Sequence, residues 1–345
     1  MLSRVVFLPY ALAVKEQNIS SLNILYDRVI GIFQDLAENC LVLIDSKGLV
    51  KEAWKQQIES WPTSQRKAIK EILARMQKES RFVEIDLGSE SYGLQDRCGF
   101  EPCQHCFALV NSPNQTDVFV LSVNKCIACV DDLLTKPIVD IFEYAQSDFS
   151  KHRRRNLIIC ESDGKRNKLW FENKFLIPVF RHAAYVDIYD RMTGRTLRRG
   201  SGINTVIESD MASNYRKSLE WLLRCFWNQS SQASREREVN LYCEINTNGL
   251  TLQQQREACE VMLSFEREMK DQNMPIKIHL KKADSVKKMP HDRYIKTNQI
   301  AFQVGRGVDL LRDDEKLRDV TITYCPDIEK KIIKPIKDLD DLRSQ

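Results

Sequence analysis

Residues 290–309 of the chain read PHDRYIKTNQIAFQVGRGVD, and this stretch decides how the second half folds. Apolar residues dominate 299–304, which predicts a β-strand, and residues 290–297 lead into that strand. His291 and Arg293 stand before the strand, whereas Gly305 and Arg306 stand directly after it. The pattern therefore indicates a strand whose two ends carry residues suited to contact with an anion.

The sequence before this stretch alternates between strand-like and helix-like patterns. Strands are predicted at 156–160, 185–189, 238–245 and 276–280, and the second of them runs into Asp190. Helices are predicted at 169–182, 210–226 and 252–270, with Ser209 as the expected N-cap of the second. This alternation is typical of an α/β fold.

The first half of the chain shows the same alternation. Strands at 40–45, 81–86 and 118–123 and a helix at 64–78 predict a small α/β domain. The run from His152 to Arg155 marks the expected boundary. The chain is therefore predicted to hold two α/β domains, at 1–150 and 151–345.

Charge divides the two predicted domains. Residues 1–150 carry 15 Lys and Arg against 20 Asp and Glu, a net charge of −5, whereas residues 151–345 carry 37 against 28, a net charge of +9. The basic half is the one suited to an anionic partner, and nucleic acid and anionic lipid head groups both qualify.

The apolar and cysteine content indicates the class of protein and its compartment. No run of about 20 apolar residues occurs, so no transmembrane helix is predicted. The eleven cysteines are an odd number, and Cys40, Cys160, Cys225 and Cys243 lie in apolar or strand-like contexts that are typical of buried free thiols. A reducing cytoplasm is therefore the expected location.

Two cysteine pairs in the first half have the spacing of a zinc site. Cys103 and Cys106 form one pair, and Cys126 and Cys129 form the other. Two thiols separated by two residues can reach one tetrahedral zinc ion, and two such pairs complete a structural four-thiolate site. The alternative is that Cys126 and Cys129 pack as small apolar residues at the end of a buried strand.

Acidic residues at strand ends are a second candidate metal site in the first half. Asp45 ends one predicted strand and Asp117 precedes another. Such carboxylates hold Mg²⁺ or Mn²⁺ in metal-dependent nucleases. The stretches VLID at 42–45 and TDVFVL at 116–121 weakly resemble PIN-like nuclease domains, whereas Asn124 stands where those domains often carry another acid. Acids at strand ends are also ordinary loop residues.

Residues 290–298 and 305–309 together resemble the single motif of the MIT C-terminal domain family, a branch of the phospholipase D superfamily. Upstream, Trp170, Pro178 and the segment VDIYDR at 186–191 resemble that family's first strand with its terminal acid. Downstream, RDVTITY at 318–324 resembles its last strand. The resemblance spans about residues 156–337 and implies a mixed-sheet α/β sandwich for the second domain.

The resemblance also implies roles for the motif residues. Catalytic members of the superfamily carry His-x-Lys-x4-Asp-x6-Gly, and this chain places His291, Arg293, Asn298 and Gly305 at the four positions. The histidine would attack phosphorus or protonate the leaving oxygen, the arginine would neutralise phosphate charge, and Asn298 would orient them. The full reaction uses two histidines, and no second motif occurs. Cleavage would therefore require a symmetric dimer with two His291 residues facing each other.

Basic residues in three segments are expected to converge on the same phosphate site. They lie in the loop at 191–204, immediately before the motif, and within it: Arg195, Arg198, Arg199, Lys281, Lys282, Lys296 and Arg306. Each of them by itself is equally typical of a solvated surface.

These features favour a nuclease-like protein of the phospholipase D superfamily that acts on or binds nucleic acid. The family resemblance adds a role in bacterial antiviral defence, with partner defence proteins, as an expectation. One alternative is a catalytically degenerate module that binds anionic lipid head groups or a protein. Another is that a PIN-like first domain cuts nucleic acid and the second domain recognises it.

Overall fold

A computed structural model describes residues 3–12, 19–87, 109, 118–122, 138–153, 157–160, 167–200, 204–229, 237–284, 287–325, 328 and 332–344. The chain divides into two compact units, Met1–Arg155 (unit 1) and Asn156–Gln345 (unit 2). Both units are mixed α/β structures, as the alternation of the sequence predicts. Among the described residues, no helix is long and apolar enough to cross a membrane.

Unit 1 contains a sheet of five parallel strands in the order β3-β2-β1-β4-β5. The strands are β1 (Ser3–Phe7), β2 (Cys40–Asp45), β3 (Phe82–Ile85), β4 (Val118–Ser122) and β5 (Ile138–Asp140). The α-helices are α1 (Ile19–Asn39), α2 (Leu49–Glu59), α3 (Thr63–Lys78) and α4 (Asp148–Arg153), and short 3-10 turns occupy Pro9–Leu12 and Tyr144–Gln146. The strand order reverses between β1 and β4, as in doubly wound folds.

Aromatic side chains build the core of unit 1. The ring of Phe7 on β1 packs 4.6 Å from that of Phe33 and 6.3 Å from that of Trp54, between centroids. The indole N–H of Trp54 donates to the carbonyl of Phe7 over 3.0 Å, so this buried polar group is satisfied. The α2 helix is thereby fixed to the carboxyl end of β1.

Unit 2 contains a seven-stranded mixed sheet in the order β11-β10-β7-β12-β13-β14-β6. Its strands are β6 (Leu157–Cys160), β7 (Tyr185–Tyr189), β10 (Glu238–Asn246), β11 (Lys277–Ala283), β12 (Tyr294–Thr297), β13 (Ala301–Val304) and β14 (Val320–Tyr324). A separate two-stranded ribbon pairs β8 (Arg198–Arg199) with β9 (Val206–Ile207). The β7, β10 and β11 strands are parallel, and the remaining neighbours in the large sheet are antiparallel.

The helical segments of unit 2 are mostly short. They are α5 (Lys168–Phe171), a π-helical turn at Glu172–Leu176, α6 (Ile177–Phe180), α7 (Arg191–Arg195), α8 (Ser213–Trp227), α9 (Leu252–Asp271), α10 (Lys334–Lys337) and a 3-10 turn at Leu342–Ser344. A capping box starts α9, because the Thr251 hydroxyl accepts from the backbone N–H of Gln254 and the Gln254 side-chain oxygen accepts from the backbone N–H of Thr251.

Side chains alternate between the two faces of the unit 2 sheet. One face carries buried residues such as Phe302, whose ring lies 5.1 Å from that of Phe175 in the helical segment. The other face carries Tyr189 and Tyr294, which belong to a core cluster with Ile336 and Leu339 near the C-terminus. Unit 2 is therefore a layered structure with apolar contacts on both sides of its sheet.

Three predicted elements differ in the structure. The helix predicted at 169–182 is interrupted by the π-helical turn, where Pro178 has no N–H to continue a regular ladder. The helix predicted at 210–226 begins at Ser213, and Ser209 is not its cap. The segment 290–304 forms a hairpin of two strands, because the Thr297 hydroxyl accepts from the N–H groups of Gln299 and Ile300 and closes a turn.

Among the described cysteines, Cys40, Cys225 and Cys243 are buried free thiols, as the sequence predicts. The side chain of Cys160 lies outside the described residues. The zinc prediction for Cys103, Cys106, Cys126 and Cys129 also falls on residues outside those that the structure describes.

Candidate functional site

Four of the motif residues lie at the carboxyl end of β7: His291, Arg293, Gly305 and Arg306. Strand β12 runs antiparallel to β7, and Tyr294 pairs with Tyr189, so the start of β12 meets the end of β7. This register places Arg293, just before β12, beside Asp190, just after β7. The end of β13 returns to the same edge, since Tyr294 also pairs with Gln303. Residues distant in sequence thus meet at one edge of the sheet.

Asp190 is the buried centre of this edge. Its carboxylate is fully inaccessible to solvent, with Oδ1 accepting from the N–H of Met192 over 2.9 Å and Oδ2 accepting from that of Val308 over 2.7 Å. The first bond caps α7, and the second holds the turn that follows β13. One carboxylate therefore fastens together two segments that are 118 residues apart.

Gly307 is required by the close approach of this turn to Asp190. Its φ is +60°, in the left-handed region that favours glycine. A Cβ atom at this position would lie 2.0 Å from Oδ2 of Asp190 and 2.4 Å from Cδ of Arg293. Gly307 thus allows the turn to pack closely against the buried Asp190.

Burial shifts the protonation of Asp190. Loss of solvent raises the pKa of its carboxyl to about 6, and this outweighs the lowering by the Val308 N–H and the positive charge of Arg293. The carboxylate is consequently ionised at neutral pH and protonated in moderately acidic solution. It is the charged partner of Arg293 only above that range.

Arg293 is held in place from two sides. Its Nη1 donates to the carbonyl of Gly305 over 2.8 Å, and its Nε lies 3.7 Å from Oδ1 of Asp190. That Nε is buried and has no hydrogen-bond partner among the described residues. The side chain is only 19% exposed. The guanidinium of Arg293 is therefore an oriented, partly desolvated cation in the loop just before β12.

His291 stands out from the same loop into solvent. Its side chain is 77% exposed, and its Nδ1 lies 3.9 Å from Oδ1 of the adjacent Asp292. A histidine this accessible can reach a large substrate or a second copy of the chain. The structure gives it no second histidine at this edge among the described residues.

A second buried acid, Glu244 on β10, supports the loop. Its Oε1 accepts from Nε of Arg195 over 2.7 Å, and its Oε2 accepts from the N–H of Met289 over 2.5 Å. Glu244 has no exposed surface, and Gly194 packs against its carbonyl so closely that a Cβ would lie 2.4 Å away. Sequence reasoning missed this residue, although an acid between the apolar residues Cys243 and Ile245 was a usable signal.

Arg306 lies in the turn after β13, and part of its guanidinium is engaged in contacts within the chain. Its Nε donates to the carbonyl of Asp319 over 2.8 Å, and its Nη1 lies 3.7 Å from Asp309. The side chain remains 44% exposed, so part of the guanidinium is open to a ligand. Asp309 also pairs with Arg318 at 3.0 Å, which divides its charge between two arginines.

Asn298 and Lys296 are not brought to Arg293. Asn298 follows the other end of β12, where its side-chain oxygen accepts from the N–H of Ala184 over 2.9 Å. Lys296 donates to the Tyr185 hydroxyl over 3.0 Å and lies 3.7 Å from Asp187, whose pKa burial raises. Four strand residues separate Asn298 from Arg293, so the predicted orienting role is not supported by the geometry.

The other predicted basic residues differ in their availability. Arg198 donates to the Asn246 carbonyl over 2.7 Å, whereas Arg199 is 83% exposed and lies 3.8 Å from Glu208. Lys281 lies 3.8 Å from Asp341 in the C-terminal segment. Lys282 is in β11, where its backbone N–H donates to the Asp340 carbonyl. These lysines contact the C-terminal segment, and among the described residues no hydrogen bond or ion pair joins them to Arg293.

Asp45 of unit 1, a candidate magnesium ligand, caps a helix. Both oxygens of Asp45 accept from the backbone at the start of α2, from Leu49 over 2.9 Å and from Val50 over 2.8 Å. Asp117 lies outside the described residues. Within the part of the chain that the structure describes, no group of three or more His, Cys, Asp and Glu is placed to hold a metal ion.

A scan against protein-family models finds no match to this chain, and a search of curated proteins finds no significant similarity. The chemistry of the site therefore has to be inferred from its own residues. Oriented guanidinium groups beside an exposed imidazole suit the binding of a phosphate oxyanion.

Proposed function

We propose that unit 2 is a phospholipase D-like, nuclease-like module. It binds the phosphodiester backbone of nucleic acid at the carboxyl end of β7, where Arg293 lies. The observation that carries the proposal is the fixed orientation of Arg293. Its guanidinium donates a hydrogen bond to the Gly305 carbonyl and forms an ion pair with Asp190, in the same loop as the exposed His291. A guanidinium oriented in this way loses little rotational freedom when it binds phosphate.

Charge and surface composition favour nucleic acid over a membrane as the target. Residues 151–345 carry a net charge of +9, which supports long-range attraction to a polyanion. Membrane insertion would require apolar side chains on the surface. Among the described residues of unit 2, the exposed large apolar side chains are three: Leu169, Val206 and Leu252.

Cleavage is proposed to depend on a pair of chains. His291 would be the nucleophile or the acid, and a second His291 from a symmetric partner would take the other role. A single chain would then bind the backbone without cutting it. Phosphodiester cleavage by this route would need no metal ion and would persist in EDTA.

Binding is tested with labelled single-stranded and double-stranded DNA and RNA and the full chain. Arg293→Gln is expected to weaken binding by about 10- to 100-fold, as the loss of a charge-assisted phosphate contact does. The matched control is Arg224→Gln, since Arg224 is exposed on α8 and has no part in the site. Equal affinity of the Arg293 variant and the control would refute the proposal.

Cleavage is tested separately on the same substrates with and without EDTA. Cleavage that survives EDTA and is abolished by His291→Ala would support the paired-histidine reaction. Cleavage that EDTA abolishes would move the chemistry to a metal site elsewhere in the chain. Binding without cleavage would leave unit 2 as a recognition module.

A further inference from the structure

Three arginines crowd the carboxyl edge of β7 and β10. Arg191 and Arg195 come from α7, and Arg293 comes from the start of β12. The pKa of Arg191 is lowered, first by burial and then by the positive charges of Arg195 and Arg293, and the carboxylates of Glu244 and Asp190 offset this only in part. The three guanidinium groups are thus close enough to repel one another.

Two of the three have a carboxylate partner. Arg195 binds Glu244, with its Nε 2.7 Å and its Nη2 2.5 Å from Oε1. Arg293 lies beside Asp190, with 3.7 Å between Nε and Oδ1. Both acids are fully buried, so each of these contacts lies in a medium that screens charge poorly.

Arg191 has no such partner. No hydrogen bond or ion pair joins its side chain to any residue that the structure describes, and its Nε is buried. A buried donor without an acceptor is unfavourable, and a partly desolvated cation among like charges is more so. Buried unsatisfied groups in native proteins commonly mark the place of a water or an ion.

We infer that Arg191 is an anion-binding residue of this edge and that its ligand is a phosphodiester group. This inference rests on the proposed function and deepens it, because it names a ligand residue that the motif does not contain. Arg191 supplies the unpaired donor, and Arg293 presents its guanidinium from the opposite strand. Both side chains are partly exposed, so a phosphate oxyanion between them would bind the two guanidinium groups from the solvent side.

The balance of charge points to a diester rather than a terminal phosphate. Three guanidinium groups face two carboxylates, Asp190 and Glu244, which leaves one uncompensated positive charge. A phosphodiester carries one negative charge, whereas a terminal phosphate carries about −1.5 to −2 at neutral pH. An internal backbone position should therefore bind without help from a 5′-phosphate.

The experiment compares Arg191→Met with Arg224→Met in the full chain. Methionine keeps much of the apolar length of arginine and removes the unsatisfied charge. For Arg191→Met, oligonucleotide affinity is expected to fall about 10- to 100-fold and the slope of log affinity against log salt to decrease by about 1. The urea midpoint should equal or exceed that of the control, since an anion-binding arginine is unsatisfied without its ligand.

A second readout uses dimethyl phosphate as a monoanionic diester and inorganic phosphate at pH 8 as a dianion. Dimethyl phosphate should raise the urea midpoint of the wild-type chain and of Arg224→Met, but not that of Arg191→Met. Oligonucleotides with and without a 5′-phosphate should bind equally. A stronger response to inorganic phosphate, or a preference for 5′-phosphorylated ends, would overturn the diester assignment.

The two proposals fail in different ways. Wild-type affinity and salt slope in Arg191→Met, together with lost binding in Arg293→Gln, would overturn the role of Arg191 alone. A lower urea midpoint in Arg191→Met with an unchanged response to dimethyl phosphate would make Arg191 a structural residue. A wild-type chain that responds to dimethyl phosphate through Arg191 but binds no oligonucleotide would overturn only the nucleic-acid target. A wild-type chain that neither binds oligonucleotides nor responds to dimethyl phosphate would overturn both proposals.

Discussion

Asp45 of unit 1 and Asp190 of unit 2 stand at the same kind of position, the carboxyl end of a mostly buried strand. Each is buried and each accepts two backbone hydrogen bonds. The partners of Asp45 are four and five residues away, whereas one partner of Asp190 is 118 residues away. Asp45 fixes the start of one helix, and Asp190 fixes the assembly of a site.

This difference shows why a strand-end carboxylate is weak evidence for function. Both acids have the same residue type and the same local setting, and sequence reasoning offered only Asp45 as a metal ligand. The two acids differ in their charged neighbour, because the fold brings Arg293 within 3.7 Å of Asp190. Asp45 makes local helix-capping bonds instead.

The largest expected effect is the removal of Asp190. Asp190→Ala should lower the free energy of unfolding by about 3–5 kcal/mol, because it leaves Arg293 and the Val308 N–H without their buried acceptor. Asp45→Ala should cost about 1 kcal/mol, the usual value of a helix cap. Urea unfolding of both variants measures the difference, and equal losses would remove the distinction between the two acids.

A pH-dependent effect of about 3 kcal/mol should come from Asp190 alone. Its pKa is raised from 3.8 to about 6, so the folded chain binds this proton more tightly than the unfolded chain. The unfolding free energy of the wild type relative to Asp190→Asn should therefore fall as pH rises from about 4 to about 7. Urea titrations of both proteins across this range measure it. A constant difference between them would show that Asp190 has an ordinary pKa.

The smallest expected effects on stability come from the glycines near the two acids, Gly307 near Asp190 in space and Gly48 near Asp45 in sequence. Gly307→Ala should cost about 2–3 kcal/mol, since it combines a left-handed φ of +60° with contact at 2.0 Å to Asp190. Gly48→Ala, next to Asp45, should cost about 1–2 kcal/mol, because its φ is +78° but a Cβ would meet nothing within 4 Å. Thermal and urea unfolding compare the two. A larger loss at Gly48 would contradict the close packing assigned to Gly307.

Much of the fold was predictable from local pattern. The strand Cys40–Asp45 appears where an apolar run predicts it, because buried parallel strands read as continuous apolar segments, and Tyr185–Tyr189 also lies where it was predicted. The hairpin of β12 and β13 was wrongly predicted as one strand with a leading segment. Its turn depends on the Thr297 hydroxyl, a local hydrogen bond that hydrophobic periodicity does not report.

The candidate site was predictable only in part. The motif residues His291, Arg293, Gly305 and Arg306 do lie in neighbouring loops at one edge, which their order in the sequence indicates. Asn298 was placed with them by spacing along the chain, yet a strand of four residues carries it to the other end of the sheet. Glu244 and Arg191 were missed, since their importance arises from contacts across strands.

Local patterns in the sequence were enough to predict the two α/β units and the acidic and basic halves. These follow from apolar periodicity and charge, which act over a few residues or over whole domains. The pairing of each acid with its cation, by contrast, depends on the fold. Strand register delivers Arg293 to Asp190 and Arg195 to Glu244 while leaving Arg191 unpaired among the described residues. Such pairing depends on ångström-scale geometry between distant segments, because charges interact strongly only at short range in a buried setting.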